Sequence, residues 1–349
     1  MEKPLLAQRG RALINFQAGL SRATYALHGD VETEMSERGI TTETLPDDLD
    51  AQLNLVDEEL DDSKVMRVRL LLAEYHARNH GLACDEAFEE IRDELEPMLK
   101  NLDDGPAQLE AAPHFDPPEY WSNVWFHRTH GGWDHHEFTG YVHGELVHKM
   151  LVSASIGGGD IFAQRRKVAR QAYRQSYDRI LDMGASSGHF TLALQETFPS
   201  AEIWGVDLSL RMLEHARRVA NENGWAWKLF VRAAEDTGFD PGSFDLVSSY
   251  ILLHELPRDV IKKCFAEAFR LLKPGGDLVM ADQPRYHEIS KLQQWRGEFF
   301  TRFGGEPYWR EACTTDLVDL CHEIGFTNVE SYVLEPQKQP YVVRARKPD

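Results

Sequence analysis

The sequence predicts an α/β fold in its second half, residues 161–349, preceded by an all-helical domain in residues 1–160. Between residues 179 and 284, five short apolar runs alternate with helical patterns, which is typical of a parallel sheet covered by helices. In the first 160 residues, apolar side chains recur every three or four positions with charged faces between them, which predicts amphipathic helices. At 349 residues and 42% hydrophobic composition, the chain can bury one large core and a second, smaller one.

The first of the five apolar runs ends in a turn bracketed by glycines. The segment RILDMGASSGHF contains a strand at residues 180–183, then Gly184 and Gly188, and then a helical pattern. Glycine is needed where a chain leaves a strand at unusual backbone angles, and where a ligand must approach the main chain without a Cβ in the way. The turn therefore indicates a nucleotide-type site, although its Gly-x-x-x-Gly spacing differs from the dinucleotide motif.

Acidic residues follow the next two predicted strands. Asp207 ends the second strand, where a carboxylate can accept hydrogen bonds from both hydroxyls of a ribose. Glu235 and Asp236 follow the third strand, residues 228–232, and can face an adenine edge. The series continues with the strand FDLVSSYIL, which ends near Tyr250, a helix at residues 258–272 that stops at KPGG, and a strand at residues 277–281. The ordered series predicts a bound cofactor more strongly than any one of its members.

These motifs resemble those of the class I S-adenosylmethionine (SAM)-dependent methyltransferases. That family reads D-x-G-x-x-x-G at the strand and turn, matched by Asp182, Gly184 and Gly188, with GASSG in place of the usual Gly-Cys-Gly-Thr-Gly. The match continues through VDLS, AAED, FDLVSS, LLHEL and RLLKPGG, over about the second half of the chain. The resemblance implies a Rossmann-like, seven-stranded sheet and SAM as the cofactor.

The same resemblance implies a set of cofactor-binding residues. Asp207 would hold the ribose, Glu235 or Asp236 the adenine amine, and Gly184 the methionine end. The full set is Asp182, Gly184, Gly188, Asp207, Leu208, Glu235, Asp236 and Tyr250.

A histidine- and tryptophan-rich segment, residues 120–150, precedes the α/β half. We interpret it as a substrate pocket in which Trp125 and Trp133 supply apolar walls and His127 supplies an orienting hydrogen bond. The alternative is that these aromatic residues only join the helical region to the catalytic domain. No metal site is expected, because the segment contains no H-E-x-x-H, and His143 and His148 are five residues apart, beyond the best helical alignment.

Methyl transfer to a hydroxyl requires a base beside the cofactor. His254, in LLHELPRD at the end of the fourth strand, lies in a segment that resembles the H-D-W-x-D of small-molecule O-methyltransferases, in which the histidine is the general base; Leu256 stands here in place of the tryptophan. The alternative is a histidine that is merely hydrogen-bonded at a helix start. The other candidate bases are His130, His135 and His287.

The last part of the chain fits the same architecture. The segment RYHEISKLQQWRGEFFTRF predicts a helix inserted after the fifth strand, which often forms part of a substrate lid in this family, with Trp295, Phe299 and Phe300 on its apolar face. The segments NVESYVLE and YVVRARK predict a final antiparallel pair of strands.

Composition excludes some other classes of function. The formal net charge of −19 disfavours a nucleic-acid substrate, and only the local basic helix around Arg165, Arg166 and Lys167 opposes it. The four cysteines form no C-x-x-C pair, and no segment approaches the ~20 apolar residues of a membrane span, so a cytoplasmic location is expected. The acidic stretch at residues 31–62 is expected to be solvated surface. The helical extension leaves a homodimer open, by fold analogy only.

The sequence as a whole predicts a SAM-dependent methyltransferase that acts on a small molecule, at oxygen, with a histidine as general base. A carbon, nitrogen or sulfur acceptor remains open. So do two other classes: a SAM-binding enzyme that catalyses an elimination or rearrangement without methyl transfer, and an interaction module whose nucleotide pocket has decayed.

Overall fold

The N-terminal region is helical, as the sequence predicts. The computed structural model describes residues 5–111, 115–155, 160–334 and 339–349. Its first helices are α1 (Gln8–Glu37), α2 (Leu49–Glu59), α3 (Lys64–Glu89) and α4 (Arg92–Asn101). Helices α1 and α3 run antiparallel, because Gly10 lies against Ala87 at one end and Glu34 accepts a hydrogen bond from Ser63 at the other.

The acidic stretch at residues 31–62 is only partly the solvated surface that we expect from its charge. Apolar side chains interleaved with the carboxylates form a buried cluster that includes Val31, Met35, Leu53 and Val56, and Trp295 from the second half packs into it. Asp48 caps α2 by accepting a hydrogen bond from the N–H of Ala51. The carboxylates thus lie on the outer side of a segment whose apolar positions are buried.

The segment that links the two halves contributes more than a connection. It contains β1 (Gln108–Glu110), α5 (Glu119–Ser122), α6 (Thr139–Tyr141), a π-helical stretch (Val142–Val152) and α7 (Ser153–Ser155). We expect residues 103–120 to be a turn-rich connection, but three of them form a strand; residues 112–114 lie outside the described residues. A three-residue strand is too short for its alternation of apolar and polar residues to be detected in a sequence.

The second half is built on one sheet, and the predicted α/β fold is confirmed. After β1 the strands are β2 (Arg179–Met183), β3 (Glu202–Asp207), β4 (Lys228–Val231), β5 (Phe244–Tyr250), β6 (Leu272–Asp282), β7 (Thr327–Val333) and β8 (Tyr341–Arg346). Their order is β1-β4-β3-β2-β5-β6-β8-β7, and among these strands β8 alone runs in the opposite direction, antiparallel to β6 and β7. The sheet has eight strands rather than the expected seven, because β1 pairs in parallel with β4.

Helices cover both faces of the sheet. The remaining helices are α8 (Ile161–Ala169), α9 (His189–Thr197), α10 (Leu210–Glu222), α11 (Arg258–Leu271), α12 (Lys291–Phe299), α13 (Trp309–Cys313) and α14 (Leu317–Ile324), and α12 continues into a π-helical turn (Phe300–Gly304). Apolar residues of α8, α9 and α10 share one buried cluster with the sheet, and those of α11 and α14 share another. In the part of the chain that the structure describes, no helix has the length and hydropathy needed to cross a bilayer.

The linking segment is attached to α10. Asp134 accepts hydrogen bonds from Oγ of Ser209, at 2.6 Å, and from the N–H of Arg211, at 3.1 Å, at the start of that helix. Gly140 lies so close to α10 that a Cβ there would collide with the carbonyl oxygen of Arg211 and lie 2.9 Å from Cβ of His215. Asp134 therefore caps the start of α10.

Candidate active site

A cavity of about 680 Å³ opens at the carboxyl ends of the parallel strands. The residues after β2, β3, β5 and β6 contribute Gly184, Leu208, Leu252 and Gln283 to its wall. The opposite wall comes from the linking segment and from α8, which contribute Trp133 and other side chains. Ligands of open α/β sheets bind outside the carboxyl ends of the strands, and this cavity has that position.

The glycine-bracketed turn after β2 has left-handed backbone geometry at three positions. Gly184, Ser186 and Gly188 have φ of +76°, +47° and +82°. A Cβ on Gly184 would lie 3.0 Å from the side chain of Leu252, and one on Gly188 would lie 3.0 Å from Cβ of Ala216. Gly184 therefore keeps the cavity wall open to the main chain, whereas Gly188 permits close packing against α10.

Asp207 presents a carboxylate to the cavity at the end of β3. Its two oxygens accept hydrogen bonds of 2.9 Å from the backbone N–H groups of Ser186 and Ser209. Burial raises the pKa of Asp207 to about 6, although these two bonds act in the opposite direction. Each carboxylate oxygen retains a lone pair, so Asp207 can still accept two hydroxyl hydrogen bonds.

Arg165, on α8, is a buried cation at the cavity wall. Its side chain is 9% exposed and lies over the ring of Tyr250, with 4.9 Å between the guanidinium carbon and the ring centroid. Its Nη1 donates to the carbonyl of Ile161 at 2.8 Å, and no carboxylate of the described residues lies within ion-pairing distance. Burial lowers its pKa. Arg165 can therefore bind an anionic group in the cavity.

Three imidazoles line the same part of the cavity. The rings of His143 and His148 have centroids 4.2 Å apart, and those of His148 and His189 are 5.6 Å apart. Burial lowers the pKa of His143 to about 3, and it lowers the pKa of His148 and His189 well below the usual value. Neither ring nitrogen of His189 has a hydrogen-bond partner among the described residues. These neutral rings can therefore hydrogen-bond a ligand.

A histidine–carboxylate cluster forms another part of the wall. His127 and Glu255 line the cavity, with 3.2 Å between Nε2 and Oε1. Nδ1 of His127 pairs with Oε1 of Glu306, which is fully buried. Burial alone would lower the pKa of His127, but Glu306 and Glu255 outweigh it and raise the pKa well above the usual value.

His254 lies behind His127 in this cluster. The two ring centroids are 5.8 Å apart, and His254 is 1% exposed and does not itself line the cavity. Its Nδ1 lies 3.1 Å from Oδ1 of Asp282. Burial alone would lower its pKa, but Asp282 more than compensates and raises it.

The structure separates the predicted cofactor-binding residues into two groups. Gly184, Asp207, Leu208 and Tyr250 line the cavity. The others do not line it: Asp182 is fully buried and accepts a 2.6 Å hydrogen bond from Thr191, Gly188 packs against α10, Glu235 accepts a 2.8 Å hydrogen bond from Tyr120, and Asp236 is exposed. Burial raises the pKa of Asp182 to about 7.

The predicted substrate and base residues divide in the same way. His127 and Trp133 line the cavity, but Trp125 is 54% exposed. Trp295 and Phe299 line a separate cavity of about 260 Å³ against α2 and α3, beside Arg69. His130 and His135 are exposed and contact each other, with ring centroids 5.0 Å apart, and His287 is also exposed. A base role for these three histidines is not proposed, because their rings lie outside the cavity.

Sequence reasoning missed Arg165, His189 and Glu306 as site residues. Arg165 stands in a run of basic residues, and the residue after it, Arg166, forms ion pairs with Asp160 and Glu196 instead of lining the cavity. A 3.6-residue helical period could have placed Arg165 on the face of Ile161 and Val168, which are buried. Glu306 carries no local signal in the sequence.

Comparisons with known proteins agree with this geometry. Residues 180–276 match the model of a family described as a methyltransferase domain. A demethylmenaquinone methyltransferase from Thermus thermophilus is 32% identical over 134 residues, which are 38% of this chain and 60% of that protein. A ubiquinone/menaquinone biosynthesis C-methyltransferase from Desulfotalea psychrophila is 30% identical over 118 residues, which are 34% of this chain and 46% of that protein. A malonyl-(acyl-carrier protein) O-methyltransferase from Legionella pneumophila is 40% identical over 103 residues, which are 29% of this chain and 34% of that protein.

The resemblance to the class I SAM-dependent methyltransferases that the motifs predict is confirmed by these matches. The chain spans less than two thirds of the length of each of these curated relatives. The residues of the cavity fit the cofactor of this class: Asp207 has lone pairs for the ribose hydroxyls, Arg165 can bind the methionine carboxylate, and Gly184 leaves the backbone accessible.

Proposed function

We propose that this protein transfers a methyl group from SAM to a hydroxyl group of a small-molecule acceptor. The observation that carries the proposal is that one cavity combines a cofactor wall, with Gly184 and Asp207, and a second wall on which the carboxylate of Glu255, paired with His127, can accept a proton. SAM, when bound, supplies a methyl group on a positively charged sulfur.

The chain's own residues have distinct tasks in this reaction. Asp207 binds the ribose hydroxyls and Arg165 binds the carboxylate, so the methyl group is held in one orientation. Trp133, Ile161 and Leu252 supply apolar walls that exclude water and favour an apolar or aromatic acceptor. An oxygen acceptor must also lose its proton, and the histidine–carboxylate cluster is the group that can receive it.

Within that cluster we propose His254 as the terminal base. Nδ1 of His254 donates a hydrogen bond to Asp282, which leaves Nε2 as the proton-accepting nitrogen. His127, which lines the cavity, is held protonated by Glu306 and Glu255, so the proton would reach His254 by a relay in which Glu255 takes the proton of the acceptor and His127 passes one of its own protons to His254. The arrangement differs from a base in direct contact with the acceptor, because His254 is buried behind the wall.

A carbon acceptor is the second candidate, since relatives of this chain are named as C-methyltransferases and as demethylmenaquinone methyltransferases. Methylation of a phenolic ring carbon also begins with removal of the hydroxyl proton, so it would use the same cluster. The structure of the methylated product, determined by NMR, separates an O-methyl from a C-methyl group.

The acceptor is proposed to be a small molecule rather than a nucleic acid, because the net charge of −19 opposes a phosphate backbone.

We also propose a homodimer formed through α1 and α3. Large apolar side chains on these two helices are exposed: Phe16, Tyr25, Val68, Leu71, Tyr75 and Leu82. Light scattering of the purified chain distinguishes a dimer from a monomer.

The proposal is tested by calorimetric titration with SAM and with S-adenosylhomocysteine (SAH), followed by a screen of hydroxylated aromatic acceptors for SAH release. We expect micromolar binding that Asp207→Ala abolishes. Asp236→Ala is the matched control, since Asp236 is exposed and does not line the cavity. Absence of binding to the wild type would refute the methyltransferase function, and turnover of SAM without SAH release would identify a non-methylating enzyme.

The base is tested separately. His254→Ala should lower turnover about a hundredfold or more while SAH still binds. His287→Ala changes an exposed histidine outside the cavity and should leave turnover unchanged. Turnover of His254→Ala within a few-fold of the wild type would remove His254 from the mechanism.

A further inference from the structure

We propose that His127, His254 and Glu306 form a binding site for a divalent transition-metal ion of the zinc type. Each of the three offers one donor atom, and these atoms all lie within 4.8 Å of one another. His254 and Glu306 are buried, and His127 is partly buried. Two imidazoles and one carboxylate are a donor set that Zn²⁺ and similar ions bind, with open positions left for another ligand.

The donor atoms are close enough to surround one ion after small adjustments. Bonds of about 2.0–2.2 Å in tetrahedral geometry place neighbouring donors roughly 3.5 Å apart. Nδ1 of His127 and Oε1 of Glu306 are in direct contact, so these two atoms would move apart to admit the ion. The cluster therefore needs side-chain adjustments of about 1 Å rather than a change of fold.

The groups behind the donors are arranged as metal sites require. Asp282 lies 3.1 Å from Nδ1 of His254, which fixes the ring and leaves Nε2 as the donor. Asp282 is itself held by the backbone N–H groups of Leu253, at 2.7 Å, and Gln283, at 2.6 Å. A metal-bound histidine that is oriented by a carboxylate is the usual arrangement in protein sites.

Glu306 supplies an independent indication of a ligand. Its side chain is fully buried, and Oε1 contacts the ring of His127 and accepts a 3.2 Å hydrogen bond from the N–H of the same residue. Its second oxygen, Oε2, is buried with no hydrogen-bond partner among the described residues. An unsatisfied buried carboxylate oxygen is costly, and a metal ion would satisfy it.

The backbone that carries these donors is held in unusual geometry. His127 and Arg128 have φ of +52° and +55°, which non-glycine residues rarely adopt. Gly305, with φ of +79°, approaches so closely that a Cβ there would lie 2.7 Å from the backbone nitrogen of Arg128. Backbone strain of this kind is found at functional sites, and here it brings His127 against Glu306.

The position of the cluster suggests a role for the ion in catalysis. This role rests on the proposed function, but the existence of the metal site does not. The ion would lie at the cavity wall, with His127 as the ligand that lines the cavity, and an acceptor hydroxyl bound at an open position of the ion would lose its proton more easily. The O–H bond would break with the proton passing to Glu255, which is not a ligand. The oxygen would then bond to the methyl carbon as the carbon–sulfur bond breaks and its electron pair remains on sulfur. When the ion is bound, His254 is one of its ligands, and Glu255 replaces His254 as the base.

The alternative is that a proton occupies the place of the metal, with a His127 imidazolium clamped between Glu306 and Glu255. The two accounts predict different metal contents for the purified protein. We expect about one transition-metal ion per chain by elemental analysis when no chelator is used. After removal of metal, titration with Zn²⁺ should restore a single site, and Co²⁺ should give the visible absorption of a nitrogen- and oxygen-bound ion.

Variants identify the site. His254→Ala and Glu306→Gln should weaken Zn²⁺ binding at least tenfold, and Asp282→Asn should weaken it roughly 10- to 100-fold through the orientation of His254. The control is a double variant of exposed histidines, His130→Ala with His135→Ala, which should bind Zn²⁺ as the wild type does. Melting temperatures confirm that each variant is folded, and the Co²⁺ spectrum of the wild type tests the site without any variant.

The outcomes separate this inference from the proposed function. Absence of a Zn²⁺ and Co²⁺ site in the wild type overturns the metal site, as does binding that the double surface variant loses and Glu306→Gln retains. SAH titration of the same metal-free protein reports on the function independently. SAH binding without metal binding leaves the methyltransferase proposal standing and the imidazolium account in place.

Discussion

The backbone N–H of Ser186 donates a 2.9 Å hydrogen bond to Oδ2 of Asp207. This bond joins the turn after β2 to the carboxylate at the end of β3. Ser186 stands where the family usually has the middle glycine of its turn, and it adopts φ of +47°, a conformation natural to glycine. Ser186 is therefore strained in the position that orients its N–H toward Asp207.

Ser186→Gly should stabilise the protein by up to about 1 kcal/mol, because relief of the left-handed strain exceeds the added entropy of the unfolded glycine. Urea unfolding measures the change. Ser187→Gly is the matched control: its φ is not positive, so glycine there should lower stability by about 0.5–1 kcal/mol. A loss of stability in Ser186→Gly would show that the Ser186 side chain stabilises the fold by more than the left-handed backbone strain destabilises it.

The affinity for SAH should fall as the pH is lowered from 7 to 5. The pKa of Asp207 is raised to about 6, so the ionised fraction falls from about nine tenths at pH 7 to about one tenth at pH 5. The ionised carboxylate accepts both ribose hydroxyls, so Kd should rise roughly tenfold over this range. Calorimetry at a series of pH values provides the measurement.

Asp207→Asn is the control for this pH dependence. The amide does not titrate and offers one acceptor oxygen, so binding should be weak at pH 7 and should change little down to pH 5. If the Kd of the wild type for SAH did not change with pH, Asp207 would not titrate in this range. If the pH dependence persisted in Asp207→Asn, another group would be responsible for it.

Arg165→Gln should weaken SAH binding roughly ten- to hundredfold. The guanidinium lies at the cavity wall without a carboxylate partner in the described part of the chain, and charge-assisted hydrogen bonds contribute about 1.5–3 kcal/mol. Titration calorimetry measures the loss. Arg170→Gln, at an exposed position one residue beyond α8, should bind SAH like the wild type. Equal SAH affinities for the wild type, Arg165→Gln and Arg170→Gln would show that Arg165 does not bind the carboxylate of SAH.

Gly140→Ala should destabilise the protein by about 1–3 kcal/mol, since the new Cβ would meet the main chain of Arg211 in α10. Gly29→Ala should have the opposite effect. Gly29 lies inside α1 with no atom within 4 Å of a built Cβ, and alanine is favoured there by about 0.5–1 kcal/mol. Thermal unfolding compares the two. An unchanged Tm for Gly140→Ala would mean that the linking segment can move away from α10 at little cost.

The sequence predicts the parts of this structure whose signals are local. The glycine turn, Asp207 at a strand end and the KPGG stop each depend on a few consecutive residues, and their order along the chain defines the sheet. The sequence signal at Trp295 and Phe299 does not distinguish an acceptor lid from a helix packed on α2 and α3, because both require the same apolar face. Which partner covers that face is decided by tertiary contacts.

The histidine–carboxylate cluster illustrates the remaining limit. His127, His254 and Glu306 come from three separate segments, with 126 residues between the first two, so no spacing in the sequence relates them. Residues 120–150 contain only one of the three donors, His127, and therefore carry no metal motif of their own. A site assembled by the fold from distant segments becomes visible only when the segments have been placed.

The pairing of β1 with β4 limits how this protein can be divided. Residues 108–110 precede the matched domain by about seventy positions, yet they cover the hydrogen-bonding edge of Lys228–Val231. A recombinant fragment that begins at residue 161 would present that edge to other copies of itself and invite aggregation. Exchange of the helical region for that of another protein, as a route to new acceptors, would therefore have to retain this short strand.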